Sequence, residues 1–172
     1  ITVAVIDTGV ADDHPDLRSN TVPGYNAITG RAGYLEAYDD NGHGTRVAGV
    51  IAAGLNGMGV VGLAYEANVL PVKTMSSAGL GTDDVIAAGI VWAVDNGARI
   101  INMSFGSGKQ TAVLTEAIRY ATDRGVLVIA ASGNRGRDAA GPSGVSFPAA
   151  DPEVLAVSAT DYNDHVTSFS LT

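Results

Sequence analysis

With 172 residues, 46% of them hydrophobic and 22 of them glycine, the chain can bury one core and is read as a single domain unit, residues 1–172. A formal charge of -8, with ten Lys and Arg scattered rather than clustered, excludes a nucleic-acid footprint, because phosphate binding needs concentrated cations. No window approaches the roughly 18–20 apolar residues of a membrane span, and the absence of cysteine excludes disulfides and thiolate metal sites, leaving oxygen-ligated ions.

Ile1-Thr2-Val3-Ala4-Val5-Ile6 is a nearly continuous β-branched run that predicts a buried parallel strand ending in an acid at Asp7-Thr8-Gly9. Gly42-His43-Gly44 then leads into small and apolar residues over 45–53, predicting a buried helix with His43 in its first turn. A second strand is expected over 69–74. Thr82-Asp83-Asp84 reads as a helix start, followed by Val85, Ile86, Ile90, Val91 and Val94 at helical spacing and stopped by Asn96-Gly97. Residues 99–103 predict a strand, 111–123 a helix ended by Arg124-Gly125, and 126–131 and 154–159 two further strands. Strands alternating with helices imply a mostly parallel sheet covered on both faces, a three-layer αβα domain. In such sheets functional groups gather beyond the carboxyl ends of the strands, where Asp7, Ser104-Phe105-Gly106 and Ser132-Gly133-Asn134 all fall.

An aspartate at the end of a buried strand can hold an imidazole in one tautomer and stabilise its cation, so Asp7 and His43 form a candidate general base. The residues alone equally allow Asp7 as a turn-former and His43 as a surface side chain. Asn134 carries the amide donor that an oxyanion hole uses, and it can also be an ordinary loop asparagine.

Five segments in order, Val5-Ile6-Asp7-Thr8-Gly9-Val10, His14-Pro15-Asp16-Leu17, Asn41-Gly42-His43-Gly44-Thr45-Arg46-Val47-Ala48-Gly49, Ile101-Asn102-Met103-Ser104-Phe105-Gly106 and Ala130-Ala131-Ser132-Gly133-Asn134, closely resemble the subtilisin-like serine proteases over essentially the whole chain. The resemblance implies a serine endopeptidase in which Asp7 orients, His43 is general base and acid, and Asn134 stabilises the oxyanion. It further implies that Ser104-Phe105-Gly106 and Ala131-Ser132-Gly133 wall the primary specificity pocket. Gly79-Leu80-Gly81 would be the edge on which an extended polypeptide substrate adds as a strand, with Ile86 lining a more distant subsite. A calcium ion is implied at Asp16, the Asn56 side chain and the carbonyls of Gly54, Met58 and Val60, an oxygen-only set of the kind calcium prefers, although 54–62 also reads as a plain glycine-rich turn. A cis bond is expected at Phe147-Pro148. Secretion follows from the resemblance alone.

The match departs from the family pattern in three ways. No Gly-Thr-Ser-Met-Ala segment carrying the nucleophile occurs in residues 1–172, and the family's N-terminal segment, which holds one more calcium ligand, precedes the part matched here. The chain is therefore expected to be a partial peptidase domain. Its partners are expected to be the C-terminal part of the domain or a propeptide, and it is expected to lack normal activity by itself. Ser107 between glycines and Ser143 in Gly141-Pro142-Ser143-Gly144 lack the strand-to-helix elbow that exposes an activated hydroxyl. Arg46 stands where bacterial members have a second histidine and proprotein convertases have arginine. Three other functions compete. A pepsin-like aspartic protease would use Asp7-Thr8-Gly9 but needs a second such carboxylate, and the sequence has no other Asp-Thr-Gly or Asp-Ser-Gly. A metal hydrolase could recruit Asp12, Asp13, His14 and Asp16, without the His-Glu-x-x-His spacing of zinc peptidases. A pseudoprotease or peptide-binding module would keep the fold without the serine.

Overall fold

The computed structural model describes residues 1–134 and 144–172. Among these the strands are β1 (Thr2–Asp7), β2 (Gly24–Asn26), β3 (Arg31–Gly33), β4 (Asn68–Lys73), β5 (Ile100–Met103), β6 (Leu127–Ala131) and β7 (Leu155–Val157), and the helices are α1 (His43–Ala52), α2 (Asp83–Asp95) and α3 (Ala112–Thr122). They form one sheet in the order β3-β2-β4-β1-β5-β6-β7, parallel throughout except for the antiparallel β2–β3 pair.

The continuous apolar run of β1 has a direct cause. Val3 and Val5 pack with Val69 of β4 and with Ala48 and Ala52 of α1, while Ala4 and Ile6 pack with Leu70 and Val72 and with α2. Successive side chains of a strand point to opposite faces, so a strand covered on both sides must be apolar at every position. On the second face α2 contributes Ile86, Ala87, Ile90 and Ala93, and α3 contributes Leu114, Ala117, Ile118 and Ala121, the three-and-four spacing of a helix seated on a sheet. The architecture is the expected α/β one of three layers.

Three details differ from the sequence-based expectation. The β2–β3 hairpin was not foreseen, since three-residue strands such as Gly24–Asn26 carry no periodicity; β2 is held by stacking of Tyr25 on Trp92, ring centroids 4.8 Å apart. The α1 helix is buried along one stripe only, Gly44, Ala48 and Ala52, and Val50 stands 74% exposed. The last strand shortens to Leu155–Val157, whose three residues are all exposed. The Phe147–Pro148 bond is cis, as expected.

The topology also selects a location. β1 continues through α1 to β4 on one side, and the chain then returns through α2 to β5 on the other side of β1. The strand order reverses at β1, so a crevice opens beyond its carboxyl end, and the residue there is Asp7.

Candidate active site

Asp7 is completely buried, and its two carboxylate oxygens lie 2.8 and 3.0 Å from Nδ1 of His43. A carboxylate only accepts, so Nδ1 carries the proton and donates it to Asp7, which leaves the lone pair on Nε2. Nε2 makes no hydrogen bond to any described residue, and the His43 side chain is 45% exposed. Orienter, base and an accessible basic nitrogen are thus assembled.

The sequence around them explains how helix and strand come this close. A Cβ on Gly44 would lie 2.1 Å from the Gly9 carbonyl oxygen and 3.1 Å from Asp7 Cβ, so the first turn of α1 can meet the end of β1 only with glycine there. The four amides that a helix start leaves unpaired all find partners. The Gly42 amide donates to Asp39 Oδ1 (2.8 Å), His43 to Asn41 Oδ1 (3.1 Å), Gly44 to Thr8 Oγ1 (3.0 Å) and Thr45 to Asp39 Oδ2 (2.9 Å), and the first intrahelical bond then runs from Arg46 to the Gly42 carbonyl (3.3 Å). Because Gly42 at the cap position has no side chain, Asp39 caps the helix from further upstream.

Asp39 is the hub of this corner. Besides the Thr45 amide it accepts hydrogen bonds from the hydroxyls of Thr8 (2.8 Å) and Thr45 (2.6 Å) and from the amides of Asn41 (3.0 Å) and Gly42 (2.8 Å). Burial pushes its carboxyl up, but the bonds from Thr45, Gly42 and Asn41 outweigh burial and hold it at about 2. Lys73, paired with Asp7 in the β1–β4 register, sends Nζ to the Thr8 carbonyl (2.6 Å) and to Asp40 Oδ1 (2.7 Å). Thr8, Asp39 and Lys73 therefore clamp the backbone that carries Asp7.

The remaining expected site residues fall into three groups. Gly79, Leu80, Gly81, Ile86, Phe105 and Gly106 line one pocket of about 210 Å³. Its Gly79–Gly81 edge is tied to the histidine corner by Asn41, whose Nδ2 donates to the Ser77 carbonyl at 2.8 Å. Gly106 and Gly133 both close on Ser146, since a Cβ on either would fall within 2.8–3.0 Å of the Ser146 Cβ; the Ser146 hydroxyl is wholly buried and has no hydrogen-bond partner among the described residues. The two predicted pocket walls thus face one buried serine. Ser104 accepts a bond from Asn102 Nδ2 at 2.9 Å. Ala131 ends β6, and the buried Ser132 donates its hydroxyl to the Leu171 carbonyl at 2.6 Å. Asn134 is exposed just beyond β6 and bridges to Ser170. Ser107 lies in a loop, paired with Phe147 and donating to the Lys109 carbonyl, and does not itself open a helix; Ser143 lies outside the described residues.

A family model described as the subtilase family matches residues 1–172. The chain belongs to the subtilase family. Among curated relatives it is 44% identical to Subtilisin Savinase of Lederbergia lenta over 170 residues, 99% of this chain and 59% of the relative. It is 41% identical to the Minor extracellular protease Epr of Bacillus subtilis over 173 residues (100% and 25%) and 39% identical to an Intracellular serine protease of Paenibacillus polymyxa over 171 residues (99% and 52%). The chain spans between a quarter and about three-fifths of the length of these relatives.

In this subtilase the loop after α1 folds over Asp16, which is 5% exposed. The carboxylate accepts the Val60 amide at 3.1 Å and faces the Asn56 side-chain amide at 3.4 Å, while Gly54 donates to the Asp16 carbonyl at 2.8 Å. A Cβ on Gly59 would lie 1.8 Å from Asp16 Oδ2, so the loop can wrap the carboxylate only with glycine at that point. Asp16, Asn56, Gly54 and Val60 are therefore brought together, with Met58 held by Asn56 Oδ1 at 3.1 Å. Among the described residues no group of three or more His, Cys, Asp or Glu gathers, so Asp12, Asp13, His14 and Asp16 do not form a metal cluster. The sheet, parallel with helical crossovers, also differs from the all-β fold of the aspartic-protease reading. Sequence reasoning missed Thr8, Asp39, Lys73 and Ser146. For Asp39 a signal existed: an acid four residues before His43 at a helix start whose cap position is glycine.

Proposed function

We propose that this chain is the part of a serine endopeptidase that supplies two members of the triad, Asp7 and His43, together with the oxyanion donor Asn134. The observation that carries the proposal is the His43–Asp7 contact: a buried carboxylate on Nδ1 and an accessible Nε2 with no described partner. Nε2 takes the proton of a serine hydroxyl as that oxygen attacks the scissile carbonyl. Asp7 stabilises the resulting imidazolium, and the proton then passes to the leaving amine. A side-chain amide donor at the oxyanion is worth roughly 3 kcal/mol in the transition state. The substrate is a polypeptide bound extended along Gly79–Gly81, and the nucleophile is a serine that residues 1–172 do not supply. Release to the cell exterior belongs to the same proposal, on the strength of the extracellular relative.

The Asp16 loop carries one carboxylate, the Asn56 amide oxygen and backbone carbonyls, an oxygen-only set of the kind calcium takes, and binding the ion requires the Val60 amide and Asn56 Nδ2, which here face the carboxylate at 3.1 and 3.4 Å, to turn away. Asp16, the Asn56 side chain and the carbonyls of Gly54, Met58 and Val60 would hold it. Bound there it would supply no step of the reaction; it would pin the loop behind α1.

A fluorophosphonate serine probe with intact-mass measurement tests the proposal. The full-length protein should be labelled once, on a serine outside residues 1–172, and His43→Ala should cut kcat by about 10⁴-fold or more. Labelling of a serine within 1–172 would contradict the assignment. Binding of extended peptides without any labelling would favour a pseudoprotease.

A further inference from the structure

The pocket that gathers Gly79, Gly81 and Ile86 with Phe105 has a feature that its apolar floor does not explain. The floor is made by Met75, Ile86 and Leu114, all under 8% exposed, and on its wall stands Asp83, the one ionisable residue among the described residues that line it. Asp83 is half-buried at the first position of α2, and its Oδ2 accepts the Thr111 amide at 3.1 Å, which fixes the carboxylate in place. No cation neutralises it: the ion pairs among the described residues do not include Asp83. At about 210 Å³ the pocket is smaller than the roughly 300–1,000 Å³ of a small-molecule site and has room for one side chain.

Resting on the endopeptidase proposal, we infer that this pocket selects a lysine or arginine side chain of the substrate, with its aliphatic stem on Met75, Ile86 and Leu114 and its cation at Asp83. A peptide added along Gly79–Gly81 points alternate side chains to one face, so one of them is delivered to the pocket. Lys and Arg are the side chains that combine a long apolar stem with a charged head. A glutamate delivered there meets Asp83 as a like charge with no counter-ion, and a shorter polar residue leaves the floor uncovered.

The test is a positional-scanning peptide library cleaved by the full-length protein, one position at a time set to Lys, Leu or Glu. At one position upstream of the cut, Lys should exceed Glu in kcat/KM by about tenfold at low salt, with the ratio falling as ionic strength rises. Asp83→Asn should collapse that ratio towards unity, and Asp83→Lys should invert it. Because a ratio is read, a general loss of activity in either variant does not imitate the result. Equal cleavage of Lys and Glu peptides at every position, or a ratio that survives Asp83→Asn, overturns the inference while leaving the endopeptidase proposal intact. Failure to cleave any peptide overturns both.

Discussion

At the residue scale the site depends on side chains other than the ones that do chemistry. Asp39 touches neither His43 nor Asp7 through its side chain, yet its carboxylate caps the helix bearing one and holds Thr8 beside the other. Its carboxyl is held at about 2 in the folded protein, below the ordinary aspartate value of 3.8. A depressed folded value means that Asp39 contributes stability above pH about 3.8, and that this contribution disappears as pH falls through about 2. Replacing it with asparagine should destabilise the protein by on the order of 1–2 kcal/mol near neutral pH, allowing for solvent screening. The gap between wild type and Asp39→Asn, followed by chemical denaturation, should narrow from pH 4 to pH 2. A gap that stays constant over that range would show that the charge of Asp39 does not stabilise this corner.

At the element scale, α1 is anchored from both ends. Its start is locked by Asn41, Thr8 and Asp39, and the loop after it is wrapped on Asp16 with Gly59 in van der Waals conflict with any larger residue. If the loop holds calcium, the ion ties Asp16 to residues 54–60, with Asn56 40 positions away along the chain, a meeting that the unfolded chain does not keep, so it binds the folded state alone. An ion at one hundred times its Kd then adds about 2.7 kcal/mol. Chelation should lower the thermal midpoint of the full-length protein, terbium luminescence should report the loop, and Asp16→Asn should abolish both responses. A midpoint indifferent to chelator in the wild type would remove calcium from this site. The same scale explains the missed hairpin: β2 is seated by the stacking of Tyr25 on Trp92, a contact 67 positions apart that no local pattern announces, and β3 pairs onto β2.

Across the whole molecule, the sheet distributes risk unevenly. Ile101 of β5 is fully buried between β1 and β6, and its truncation to alanine should cost about 2–5 kcal/mol by loss of transfer energy and a residual cavity. Val50 on the outer side of α1 is 74% exposed, and Val50→Ala should change stability by less than about 0.5 kcal/mol. Equal losses in urea titrations of the two variants would mean that the outer side of α1 is as buried in the full-length protein as the centre of the sheet. The α/β class, the parallel strands, the three helices and the candidacy of Asp7, His43, Asp16 and the glycine-flanked loops were legible in the sequence by itself. Each of these is a local quantity: apolar period, cap and stop residues, or a short motif at fixed spacing. What only the tertiary structure decided are the meetings between segments. Asp7 and His43 are 36 residues apart, Thr8 and Asp39 are 31 apart, and Gly106 and Gly133 share Ser146. Strand order and helix approach govern those distances, and both follow from how the two faces of the sheet are covered rather than from any residue's own neighbours in the chain.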